Sequence, residues 1–170
     1  INNITYNKLY TSKKQEEKWQ KAKALDSLFN ANNIHNANTA FNEAFTKIFV
    51  SRCTALNASE YTCKIYFSEY KNNQWLALKP LPSAINQNNT NNTQPAITKI
   101  NGKEVLFFSS NRKGGEGGMD IWYSFFDSLM RFEEPINAGK IVNSIEDEIT
   151  PWYVKETNTL YFSSNWHKGL

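Results

Sequence analysis

Between positions 12 and 29 the apolar residues Trp19, Ala22, Leu25, Leu28 and Phe29 recur at helical spacing. Ser12 and Gln15 stand where an N-cap and its capping-box partner would. Taken alone, this stretch predicts a helix. Further along, the pattern changes to short runs rich in Phe, Tyr, Trp, Ile and Val, separated by clusters of Gly, Asn and Pro. Such runs predict strands and turns.

A repeat decides between the two patterns. A shift of 56 carries Trp19 onto Trp75, Leu25 onto Leu81, Ser27 onto Ser83 and Asn30 onto Asn86. The same shift carries Lys8, Leu9, Tyr10 and Ser12 onto Lys64, Ile65, Tyr66 and Ser68. A second shift of 56 reaches Ile121, Trp122 and Ser124, and a shift of 57 takes Asn86 to Asn143. The run Leu106–Asn111 returns as Leu160–Asn165 after 54 residues, with Lys47–Cys53 in the equivalent place one repeat earlier. Each repeat reads as four strands, predicted near Gln94–Ile100, Glu104–Ser109, Asp120–Phe125 and Arg131–Ile136. Asn101-Gly102 is a two-residue hairpin signal between the first two. Four strands per repeat is the rhythm of a β-propeller blade. The expected fold is therefore all-β, with about three repeats of antiparallel strands. Residues 1–35 form a partial blade, 36–91 and 92–148 two blades, and 149–170 another partial blade. The repeat makes residues 4–12 and 17–22 strands, with the helix as the alternative. Three open blades fall short of the 4–8 that close a propeller, so the expectation is a portion of a larger propeller.

Composition narrows the function. The chain has 170 residues and a formal charge of +3, with residues 1–25 holding six Lys and two Glu. That excess is too small for a typical nucleic-acid binder and reads as a solvated edge. No apolar run is long enough for a spanning helix. Asn, at 23 residues, favours turns. His35 and His167 stand apart, and no metal site or cofactor is expected.

The segment Ser109-Ser110-Asn111-Arg112-Lys113-Gly114-Gly115-Glu116-Gly117-Gly118-Met119-Asp120-Ile121-Trp122 resembles the WD40-like propeller repeat called PD40, found in TolB-type propellers. Its long Gly-Gly-x-Gly-Gly-x-Asp-Ile form is similar to repeats in Bacteroidetes envelope proteins. Those often join PD40 propellers to tetratricopeptide and OmpA-like domains, and some belong to type IX secretion and gliding machinery. The resemblance implies a non-enzymatic interaction scaffold in the periplasm or at the outer membrane of a Gram-negative bacterium. Its partners would be other envelope proteins, with an indirect peptidoglycan link through a domain outside this chain. The alternatives are a propeller gating a hydrolase carried elsewhere in the polypeptide, and a carbohydrate-binding propeller.

Within the resembling segment, Asn111 and Asp120 bracket the glycine loop, where short polar side chains would hold its backbone closed. Gly114, Gly115, Gly117, Gly118 and, in the last repeat, Asn165 belong to the same structural loop. The earlier repeat lacks that loop. Cys53 aligns there with Asn111 and Cys63 with Met119, so a Cys53–Cys63 disulfide would do the same work covalently; two free thiols are the alternative. Arg112, Lys113 and Glu116 are expected to protrude as partner contacts. Trp19, Trp75 and Trp122 are expected to pack between blades, leaving Trp152 and Trp166 as an exposed pair. Glu146-Asp147-Glu148 offers carboxylates to a cation, although acidic triplets are usually solvated. No nucleophile elbow, zinc-protease motif or P-loop occurs, so no catalytic residue is assigned.

Overall fold

Strands rich in β-branched and aromatic residues bury best when both faces of their sheet are covered, and this chain achieves that by stacking sheets. A computed structural model describes residues 5–57 and 60–166; Ile4 and the tail from His167, on which parts of the sequence reading fell, lie outside them. Among the described residues the structure is all-β, with antiparallel sheets and no helix.

The first unit is small. Strand β1 (Tyr10–Thr11) pairs β4 (Lys23–Ala24), and β2 (Lys14–Gln15) pairs β3 (Lys18–Trp19). The second unit runs β5 (His35–Phe41), β6 (Lys47–Ala55) and β7 (Tyr61–Lys71). Two short strands, β8 (Gln74–Trp75) and β9 (Lys79–Pro80), both pair β7. The third unit is the sheet β10 (Asn92–Ile100), β11 (Lys103–Ser110), β12 (Asp120–Phe126) and β13 (Ile136–Asn137), in that order. The last pairs β14 (Glu148–Val154) with β15 (Thr159–Ser164).

Alternation along the second strand of each unit sets the stacking. Leu106 and Phe108 face the second unit, in a core with Phe49, Ile65, Leu81 and Ile85. Val105 and Phe107 face the other way, towards Tyr153, Leu160 and Phe162 of the last unit. On β6, Ile48 and Val50 pack against Phe29, Leu9, Leu25 and Leu28 of the first unit. A Lys47–Glu104 ion pair of 3.2 Å, largely buried, joins the second and third units.

One hydrogen-bonded frame recurs in three units. Asn30, Asn86 and Asn143 are buried. Their Oδ1 atoms accept the N–H of Leu9, Ile65 and Ile121 at 2.7, 2.9 and 2.7 Å. Their Nδ2 groups donate back to the carbonyls of the same three residues. The repeat therefore preserves a clamp on the third strand. A second recurring feature lies in the first strands: Asn38, Gln94 and Thr150, each 56 apart, take φ of 46°, 54° and 54° at a β-bulge. At the β10–β11 turn, Asn101 and Gly102 take φ of 49° and 80°, as a two-residue hairpin turn requires.

Three sequence expectations are corrected. The fourth strand of the third unit is confined to Ile136–Asn137 instead of Arg131–Ile136, with a single bridge between Phe132 and Phe126. Pro135 has no N–H to give a ladder. The N-terminal strands are two-residue pairs rather than strands over 4–12 and 17–22, and no helix forms over 12–29. Trp19 is 72% exposed, not packed. Its equivalent Trp75 lies against Phe29 of the preceding unit at 6.1 Å between ring centroids; among the described residues no sheet lies on that side of the first unit.

Candidate interaction face

The glycine loop follows from close approach. A Cβ on Gly115 would stand 1.6 Å from Asp120 Oδ2, and one on Gly117 2.2 Å from the Ile145 backbone. Side chains there would push the loop off its neighbours. The loop is instead sealed, with Gly118 N–H donating to Glu146 O at 2.9 Å. Asp120 Oδ2 accepts Glu116 N–H at 2.7 Å, and burial pushes its carboxyl above the usual range. Asn111 differs from expectation. Its Oδ1 accepts the N–H of Asn91 at 2.7 Å, tying β11 to the segment that enters the unit rather than closing its own loop. Asn165 does the same for Asp147 N–H at 2.9 Å.

Arg112 does not protrude; only 7% of it is exposed. Its guanidinium donates to Ala84 O at 2.9 Å, to Ile85 O and to Asn92 Oδ1 at 2.9 Å. It lies over the rings of Phe108 and Trp122, 4.8 and 5.3 Å from their centroids. Carbonyl acceptors and ring faces outcompete water for this cation, so it is a structural tie and not a partner contact. Burial pushes it down to about 10, which leaves it charged at neutral pH. Sequence reasoning missed its counterpart. Arg52 donates to Leu28 O, Phe29 O and Asn36 Oδ1, the equivalents of Arg112's acceptors 56 residues earlier. It reaches them from within β6, where the Asn-Arg motif is absent. Lys113 and Glu116 are exposed and remain open to a partner.

Cys53 and Cys63 are directly opposite across β6 and β7, with Cα atoms 4.0 Å apart, and are bridged. The bridge joins the second and third strands of its unit, a different link from that of Asn111, and the ladder runs on past it to Ala55↔Tyr61. Removing it, as Cys53→Ala with Cys63→Ala, is expected to cost about 2–3 kcal/mol from the loop it closes. Urea midpoints with and without reductant check this; identical midpoints would show the bridge to be idle.

The acidic triplet splits apart. Glu148 is buried and accepts Ser144 N–H at 2.7 Å and two serine hydroxyls. Asp147 Oδ1 accepts Met119 N–H at 2.8 Å. Among the described residues no three carboxylate, His or Cys side chains gather to hold a metal.

The first strands converge at one end. Glu43, Lys99 and Lys155 are repeat equivalents, 56 apart. Glu43 pairs with Lys99 at 3.5 Å and also with Lys155, which reaches past the third unit. The Lys155 ammonium holds the Glu43 carboxyl below its usual range. Sheets stacked in parallel would keep the second and last units apart, so the stack fans out from this end. A groove of about 500 Å³ opens there, and Phe41, Phe45 and Trp152 line it. Phe45 is 69% and Trp152 62% exposed. Trp152 takes the position held by Ala40 and Ala96 in the earlier units, opposite Tyr161 on β15. Trp166 lies beyond the far end of that ladder, so the two tryptophans do not form one platform. No protein-family model, curated protein or solved structure matches the chain.

Proposed function

We propose that the stacked units are blades of a PD40-type β-propeller and that the chain serves as a non-enzymatic interaction scaffold in a periplasmic or outer-membrane-associated complex. Type IX secretion or gliding machinery is the most concrete setting. The observation that carries the reading is the fan: repeat-equivalent residues Glu43, Lys99 and Lys155 meet at one end, while each central sheet is buried on both faces. Blades around an axis have this arrangement. The Cys53–Cys63 bridge suits an oxidising compartment. A rigid frame would present the Phe45 and Trp152 groove and the Lys113–Glu116 loop to other proteins.

The test is photocrosslinking in intact cells, with a photoreactive residue at position 45, 113 or 116. Expected is a protein in the envelope fraction, oxidised at Cys53 and Cys63, that crosslinks the same envelope protein from at least two positions. A cytosolic protein with free thiols, or crosslinks to nothing from all three positions, would overturn the proposal.

A further inference from the structure

One groove between the second and third units lies where the next unit holds its glycine loop. In the third unit that loop rests on the segment that crosses to the last unit. Gly118 N–H donates to Glu146 O, and Asp120 Oδ2 accepts Glu116 N–H. A shift of 56 carries Thr62, Lys64, Asn89, Thr90 and Asn91 onto Gly118, Asp120, Ile145, Glu146 and Asp147, which frame the loop. The second unit has no such loop. Its β6–β7 ladder runs straight on to Ala55↔Tyr61. The same five positions, with Asn111, line an open groove of about 770 Å³. We propose that this groove binds a glycine-rich, acidic peptide segment of a partner protein, laid down as the glycine loop is laid down one repeat later.

The loop shows which backbone fits. A Cβ on Gly117 would stand 2.2 Å from the Ile145 backbone and one on Gly118 2.3 Å from Asp147 Oδ1. Side chains are therefore excluded where the chain touches the floor. In the groove Thr90 O takes the place of Glu146 O. It accepts Asn92 Nδ2 at 3.3 Å and keeps a lone pair for a peptide N–H. Charge selects the rest. The carboxylates Asp120, Glu146 and Asp147 of the loop's frame become Lys64, Thr90 and Asn91. Lys64 is half-buried, and among the described residues no carboxylate pairs with it. Glu60, also in the groove, accepts Asn57 Nδ2 instead. The Oδ1 atoms of Asn91 and Asn111 are taken by Cys63 N–H and Asn91 N–H at 2.8 and 2.7 Å, which leaves their Nδ2 groups to donate. One ammonium and two amides thus line the groove together, and a carboxylate is the strongest partner for such a set.

The inference rests on the repeat and not on the envelope setting, so its test needs only the purified protein. The probe is dansyl-Gly-Gly-Asp-Gly-Gly-amide, followed by fluorescence anisotropy. It is expected to bind saturably, while the same peptide with Lys for Asp, or with Val for every Gly, does not. Lys64→Glu should weaken the Asp peptide about tenfold or more, as loss of a hydrogen bond to a charged group does, and should let the Lys peptide bind. Asn88→Trp, at an exposed position on the groove wall, should block the Asp peptide with Tm unchanged. No saturable binding of the Asp peptide at millimolar concentration overturns the proposal. So does binding that both Lys64→Glu and Asn88→Trp leave unchanged. An oligogalacturonate that binds where the Asp peptide does not would also overturn it, making the occupant an acidic glycan.

Discussion

Replacing Arg112 with alanine is expected to destabilise the chain by about 4 kcal/mol, as breaking a buried charged network does, and to lower Tm by roughly 8–16 °C at this size. The loss arises because Ala84 O, Ile85 O and Asn92 Oδ1 are left in a largely buried seam without the guanidinium that serves them. The seam joins the turn of one unit to the second strand of the next, so loosening it weakens the contact between two sheets. Arg112→Lys should recover only part of the loss, because an ammonium cannot reach three separated acceptors and lie flat on two rings. Lys113→Ala, one residue along and exposed, should stay within about 0.5 kcal/mol. Thermal melts of the three variants decide. Equal midpoints for Arg112→Ala and the parent would return Arg112 to the surface.

The second large effect is expected at Asn86. Its side chain serves Ile65 N–H, Ile65 O and Leu81 O in a site almost closed to water. Asn86→Ala leaves Ile65 N–H and Leu81 O without this partner, and Ile65 O with Leu81 N–H alone, and should cost about 3 kcal/mol, read as a lower denaturant midpoint at unchanged slope. Asn86→Asp keeps the acceptor for Ile65 N–H but points a carboxylate at two carbonyl oxygens. It should be worse than alanine at neutral pH and recover partly in acid, where the protonated carboxyl can donate. A variant as stable as the parent would show that the recurring clamp is not needed for the fold.

These two residues also show what was legible in the sequence. Asn30, Asn86 and Asn143 stood out at spacings of 56 and 57 because the clamp needs one amide at one place, so side-chain identity survived. The apolar Leu9, Ile65 and Ile121 stood out for the same reason. The bulge residues Asn38, Gln94 and Thr150 share only a backbone angle, and three different side chains hide it. Arg112 was misread because a glycine-rich neighbourhood looks solvated, while the competing carbonyls are 27 and 28 residues away in sequence. Arg52 was invisible because its guanidinium reaches equivalent acceptors from another strand position. At the candidate face, the spacing of Glu43, Lys99 and Lys155 was readable, but opposite charges do not register as a repeat. Only the folded stack shows that they meet.

The segments that cross from one sheet to the next are fastened on both sides. Asn91 accepts Cys63 N–H with its side chain and gives its own N–H to Asn111. Asp147 does the same between Met119 and Asn165. Under tension, a free linker would straighten first and leave the sheets to peel one strand at a time. Here the crossing carries load directly into both ladders, so pulled chains should yield in whole-unit steps. Each step would free one repeat of 56 residues, about 200 Å of extended chain. A structure anchored between moving parts would thus resist small displacements stiffly and give way only in large increments.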